Sequence, residues 1–256
     1  MEYGFRYPIA QSGAAGLEIS RGTIDGLRHV NKFGEQPDVN GTREDVWGGN
    51  GIWSAPTSAQ IHEVFSNSPN DTLAGTGMQK VMLEGLDANG DEISEEVDLS
   101  GATPVDTTNS FIMVNRMYGT QWGSVGYNQG PVSARAKTDG TNTCRIMTSS
   151  VYGGGYNQST QAIYMIPAGY RAYLNQWTVG SSRGNNAYIS GYLLYRPPGV
   201  EGWRLQSALD VSMGVAGRSY APPPVYEPLG ILKVSVTASQ TNTSCFAEFD
   251  LVLERI

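Results

Sequence analysis

From Gln60 onward, polar and apolar residues alternate in short runs bounded by turn formers, the period of a strand with one buried face. The first runs are Ile61–Ser66, Met78–Leu86, Glu92–Leu99, Phe111–Tyr118, Val132–Lys137 and Thr143–Thr148. After Gly153-Gly154-Gly155 come Thr160–Ile166, Arg171–Val179, Ala187–Arg196, Gly202–Gln206, Ile231–Ala238 and Phe246–Glu254. Val81 and Leu83 alternate with Lys80 and Glu84, while Ile93, Val97 and Leu99 share one parity. Asn89-Gly90 lies between two such runs and predicts a hairpin with a primed turn, which needs positive φ at its centre. Pro167-Ala-Gly-Tyr170 predicts a second hairpin between Thr160–Ile166 and Arg171–Val179. About a dozen strands at this spacing predict a sandwich or barrel. No segment of ten or more residues carries a 3.6-residue apolar period. The expected fold is all-β, β-sandwich or jelly-roll-like, with two lobes (60–150 and 151–256) dividing near the triple glycine.

Residues 1–59 break this pattern. Glycines and prolines punctuate them, and aromatic residues recur as isolated anchors at Phe5, Tyr7, Phe33, Trp47 and Trp53. A long stretch without elements is uncommon inside a compact domain. It is expected to be an extended, irregular arm, lying either on another part of this chain or on a neighbouring subunit.

Composition points the same way. The chain has 256 residues, enough for one large or two modest cores, and it is rich in Gly (32), Tyr (14) and turn formers. Only 16% of residues are charged, against roughly 25% in an ordinary soluble domain. The net charge of −7, with 17 Lys and Arg scattered and never three in a row, argues against a nucleic-acid surface. No run reaches the ~20 apolar residues of a membrane helix, and the first residues lack a signal-peptide core. The expectation is a protein that neither crosses a membrane nor leaves by the ordinary export route.

Candidate chemistry is sparse. His29 and His62 are the only histidines, and no Gly-x-Ser-x-Gly elbow accompanies them, so both read as surface or hydrogen-bonded structural residues. The carboxylates Glu84, Asp87, Glu95, Glu96, Glu248 and Asp250 have the spacing of solvated strand faces rather than of a hydrolase pair. Asp87-Ala-Asn-Gly-Asp91 begins like a calcium loop, but Glu92 and Asp98 stand where an EF-hand needs Gly and Glu. Cys144 and Cys245 lie far apart with no metal-binding spacing and read as buried reduced thiols, a disulfide between them being the alternative. No enzyme, cofactor or metal site is expected. Tyr152, Tyr156, Trp177, Tyr188 and Trp203 could form a platform for sugar rings or belong to the core.

Three stretches resemble structural proteins of tailed bacteriophages. Val30–Val39 running on to Glu44–Gly51 resembles their N-terminal portion. Gly75–Asp87, Glu96–Gly101 and Phe111–Arg116 resemble the β-rich segment that follows. Ile166–Tyr170 and Leu194–Gly199 are similar to the C-terminal half. The resemblance implies a virion protein of β-sandwich or jelly-roll modules in several copies, assembled in the host cytoplasm, with no catalytic residues to carry over. Three roles are compatible with it. One is a capsid decoration or cement protein, a homotrimer tying neighbouring major capsid subunits together. The others are a tail, baseplate or neck component, and a carbohydrate- or receptor-binding module. The candidate interaction residues are Phe5, Tyr7, Phe33, Trp47, Trp53, Tyr152 and Tyr156.

Overall fold

The computed structural model describes residues 12–149, 153–181, 187–212 and 214–256. Helix α1 (Ser12–Arg21) leads into a long strand β1 (Leu27–Val39) and the short β2 (Glu44–Asp45). Next come β3 (Gln60–Ser66), β4 (Met78–Leu86), β5 (Glu92–Asp98), β6 (Val105–Phe111) and β7 (Met113–Trp122). β8 (Val132–Ala136), β9 (Asn142–Ser149) and β10 (Gly154–Ser159) complete the middle of the chain. Then follow β11 (Ile163–Met165), β12 (Tyr170–Ser181), β13 (Ile189–Arg196) and β14 (Arg204–Val211). The last four are β15 (Gly214–Ser219), β16 (Val225–Tyr226), β17 (Ile231–Ala238) and β18 (Thr243–Arg255). The protein is all-β and jelly-roll-like, and no helix among the described residues is long and apolar enough to cross a membrane.

β3 to β10 form one antiparallel sheet in the order β5-β4-β7-β10-β9-β8-β3-β6. Its end strands β5 and β6 are consecutive in the chain and return beside each other, so the sheet is a nearly closed barrel. Glu95 of β5 laces the seam, its two oxygens accepting the backbone N–H groups of Thr108 (2.6 Å) and Asn109 (2.8 Å). A carboxylate thus substitutes for part of the missing ladder. Alternate residues point inward, with Val64, Leu83, Val97, Phe111, Met117 and Ile146 meeting in the barrel core.

The later strands build two facing sheets. One runs β1-β18-β12-β15, with β16 also on β12; the other runs β11-β17-β13-β14, with β2 beside β17. Leu174, Trp177 and Phe249 from the first meet Leu193, Val234 and Val236 from the second in a continuous core. The links β12 to β13, β14 to β15 and β17 to β18 each cross between the sheets.

Several expectations are corrected. From residue 27 on, the supposed arm is built into the sandwich: β1 pairs with β18 from Leu27↔Glu254 to Val39↔Thr243. Its alternation was hidden because its inward face carries Lys32, Gly34 and Gln36, all buried. Gly34 is required there, since a Cβ would lie 2.4 Å from both the Ala162 nitrogen and the Val46 oxygen. α1 was missed because Gly13 and Gly16 weaken its helical pattern. β11 and β12 do not form a hairpin; the Pro167–Tyr170 turn sends them into different sheets. The β4–β5 hairpin exists, but as a five-residue loop from Asp87 to Asp91 between the Leu86↔Glu92 pair, with positive φ at Gly90 alone. The Asp87 carboxylate accepts the N–H groups of Asn89 (2.8 Å) and Asp91 (3.0 Å) and holds that loop itself.

The segment after β1 locks the barrel to the sandwich. Asp45, fully buried, accepts from Lys233 Nζ (2.6 Å), the Ser235 hydroxyl and the Trp53 backbone N–H (2.8 Å). The Trp53 indole donates to the Thr143 carbonyl of β9 (3.0 Å). Trp47 and Trp53 pack with Leu86 and Met113 of the barrel and Ile163 and Ile231 of the sandwich. Lys233 is itself 1% exposed and lies 4.2 Å from the Trp203 ring centre. Burial lowers its pKa, while Asp45 opposes the change.

Removing one member of such a pair strands the other charge, at a cost of about 3–5 kcal/mol. Lys233→Met should therefore lose that much in chemical denaturation; a loss below about 1 kcal/mol would contradict the locking role. Cys144 and Cys245 are free and buried, and burial pushes their thiols up to about 11 and about 12. Neither should react with a thiol reagent on the folded protein, and both should react once it is denatured.

Candidate functional site

β1 runs along the sandwich edge with barrel strands β4, β5, β7 and β10 beyond it, and between them lies a cleft of about 600 Å³. Residues 28–33 of β1 form one wall. Glu84, Glu92, Ile93, Ser94, Arg116 and Gln158 form the barrel side, with Tyr164 and Asn115 at the base.

Polar contacts tie the two walls together. Arg28 donates to Glu92 (2.6 Å) and lies 4.3 Å over the Tyr170 ring. Further along β1, the Tyr156 hydroxyl of β10 donates to Glu35 (2.8 Å). Between these two bridges the Lys32 ammonium, only 8% exposed, donates to the Asn115 carbonyl. Gln161 donates to the same carbonyl (3.1 Å) and to that of Val114 (2.9 Å). The Asn115 side chain pairs with the Met165 backbone, donating at 3.1 Å and accepting at 3.0 Å. Arg116 donates to the Gln158 amide oxygen (3.2 Å) and stacks 4.7 Å from the Tyr118 ring centre, whose hydroxyl donates to Glu84 (3.0 Å).

Electrostatics single out Lys32. Burial pulls its pKa from 10.5 down to about 8; Cys144 and Glu84 counter this, and Arg116 adds to it. Among the described residues, neither Lys32 nor Arg116 has a carboxylate at ion-pair distance.

Phe5, Tyr7 and Tyr152 lie outside the described residues. Phe33 is 39% exposed and lines the cleft. Trp47 and Trp53 are buried in their own chain, so they anchor residues 44–59 internally and present nothing to a neighbour. Tyr156 spans from barrel to sandwich. Trp177 is core and Tyr188 exposed, while Trp203 packs over Lys233. These aromatics do not form one platform. His62 sits inside the barrel, its Nδ1 3.0 Å from the Gln60 carbonyl, and burial lowers its pKa. His29 meets Asp250 (3.1 Å) on the outer sheet face, where Asn31 (2.8 Å) and Gln176 (2.6 Å) also bind that carboxylate. The acidic residues considered for hydrolysis are engaged: Glu96 with Lys80 and Thr120, Glu248 with Thr178, and Glu95 at the barrel seam. Sequence reasoning missed the cleft because its key cation, Lys32, occupies a strand position where an apolar residue is expected.

No protein-family model and no curated protein matches the chain. Among solved structures, the tandem CBM22 domains of Paenibacillus barcinonensis Xyn10C are similar over 90% of this chain and 93% of theirs, at 12% identity and a TM-score of 0.24. The Bacillus thuringiensis Cry1Da tryptic core variant is similar over 85% of this chain and 52% of its own, at 8% identity and a TM-score of 0.23. The infectious bursal disease virus Gx strain structure covers 90% and 76%, at 10% identity and a TM-score of 0.22. At such TM-scores these likenesses carry no argument about function.

The lowered Lys32 pKa makes a signed prediction. Between about pH 8 and 10.5 the unfolded chain keeps the Lys32 proton and the folded one has lost it, so this group adds stability as pH rises through that window. The stability difference between the protein and Lys32→Met should grow there by up to about 1.4 kcal/mol per pH unit. Subtracting the variant cancels the tyrosines, the thiols and Lys233. A flat difference in pH-dependent denaturation would show that Lys32 is not held in this buried setting.

Proposed function

We propose that the chain is a structural protein of a virus particle of the tailed-phage kind, acting by docking and without catalysis. Its partners on this reading are further copies of itself, in a trimer, and the major capsid protein or another virion protein. Neither nucleic acid nor membrane is among them. Decoration of the head is the favoured role and a tail or neck position the alternative.

The supporting observation is the open side of the sandwich. β14 and β15 are the end strands of the two sheets on that side, β14 pairing only with β13 and β15 only with β12 among the described residues. Leu205 and Val215 are each 59% exposed there, and Val225 of β16 is exposed as well. β15 reads Gly-Val-Ala-Gly-Arg-Ser. It has neither Lys nor Pro, the residues with which solitary proteins blunt an edge, and its Arg218 is turned onto Ser207 of β14 (3.0 Å). An unguarded edge beside exposed apolar side chains suits strand pairing with a second chain. The sequence resemblance to virion proteins supplies the setting, and the acidic balance agrees with docking to protein rather than genome.

Light scattering should find an oligomer, and Val215→Lys should convert it to a folded monomer. The chain should also be present in purified particles, where a copy number in the hundreds marks the head and six or twelve the tail. A wild-type monomer that is absent from particles would overturn the reading.

A further inference from the structure

We propose that the cleft between β1 and the barrel binds a sugar residue bearing a carboxylate, with Lys32 and Arg116 holding the carboxylate. This goes beyond the docking role and does not depend on it.

Lys32 and Arg116 both line the cleft, and among the described residues neither is ion-paired. The Lys32 ammonium has three N–H donors and, among the described residues, one acceptor, the Asn115 carbonyl. A buried cation with two donors unused is costly unless something anionic completes its shell. Arg116 spends one N–H on Gln158 and keeps its remaining donors for a planar acceptor. The other charges limit the valence of the guest. Arg28 and Glu92 neutralise each other, and Glu84 faces Arg116 across the β4–β7 ladder. Two cations against one carboxylate leave about a single positive charge. That matches a carboxylate better than a doubly charged phosphate.

Shape and lining indicate the rest of the ligand. The cleft is bridged at one end by Arg28–Glu92 and further along β1 by Glu35–Tyr156. Both bridges cross from β1 to the barrel, so an extended peptide running along β1 would have to displace them. At about 600 Å³ the cleft has the size of a small-molecule site. Ser94 and Gln158 offer neutral groups to hydroxyls, and half-exposed Phe33 lines the same cleft. A pocket with one net positive charge, amide and hydroxyl groups and one aromatic residue is complementary to an acidic monosaccharide.

The test is titration calorimetry with ligand-observed NMR on the whole chain, using methyl glucuronide, methyl glucoside, acetate and an acetylated dipeptide with a free C-terminus. Methyl glucuronide should bind, and methyl glucoside and acetate should each bind weaker by about tenfold or more. Arg116→Gln should lower glucuronide affinity by about tenfold while the melting temperature holds. Lys32→Met should do the same, its folding being checked by circular dichroism. No detectable glucuronide binding would overturn the proposal, as would binding unchanged in Arg116→Gln. Equal binding of acetate or the dipeptide would also overturn it, leaving plain carboxylate recognition. Because no readout involves oligomerisation, a failure here is distinguishable from a failure of the docking reading.

Discussion

One buried carboxylate organises the junction of this molecule. The Asp45 carboxylate lies wholly in the interior, where its lone pairs must be filled, and three donors from two stretches of chain fill them. Lys233 and Ser235 come from the centre of the sandwich, and the Trp53 amide comes from the segment entering the barrel. An ion pair of this kind adds little net stability, but it penalises any arrangement that separates its members. It therefore fixes where residues 44–53 run, and with them the relation of β1 to the barrel wall. The cleft exists because that relation is fixed.

The two ends of the sandwich have opposite characters. On the β1 side the edge is covered by the barrel, and the polar groups are drawn inward: Lys32 and Gln161 share the Asn115 carbonyl and Tyr156 reaches Glu35. On the β14–β15 side the edge is uncovered, apolar in part and weakly charged. A protein working alone would need to guard such an edge. A subunit would instead pair it with another chain. The same body can thus dock through one edge and hold a small anionic guest at the other, because the two sites share no residues.

Where one face of a strand is apolar and the other polar, the alternation was legible: β3, β4, β5, β8, β9 and β17 fall within a residue or two of their expected limits, and β18 starts three residues early. It failed where burial and polarity part company. β1 puts Lys32 and Gln36 on its inward face, β6 is almost wholly polar, and β10 opens on glycines, so none carries the signal of a strand. The hairpin at Pro167 was misread because a turn motif reports the local bend and not which sheet receives the next strand. Trp47 and Trp53 were recognisable as anchors, but nothing local could reveal that they anchor the chain to itself. The cleft was illegible for a similar reason, since its cations come from β1 and β7, far apart in sequence.

The central claim, that the uncovered edge is where this protein meets another chain, can be read directly by hydrogen exchange at the backbone amides of residues 214–219. In dilute solution those of β15 that face away from β12 should exchange fast, and at assembly concentration or in intact particles they should become protected while β1 amides stay unchanged. Equally fast exchange in both states would mean that the edge stays bare, and the account would be wrong.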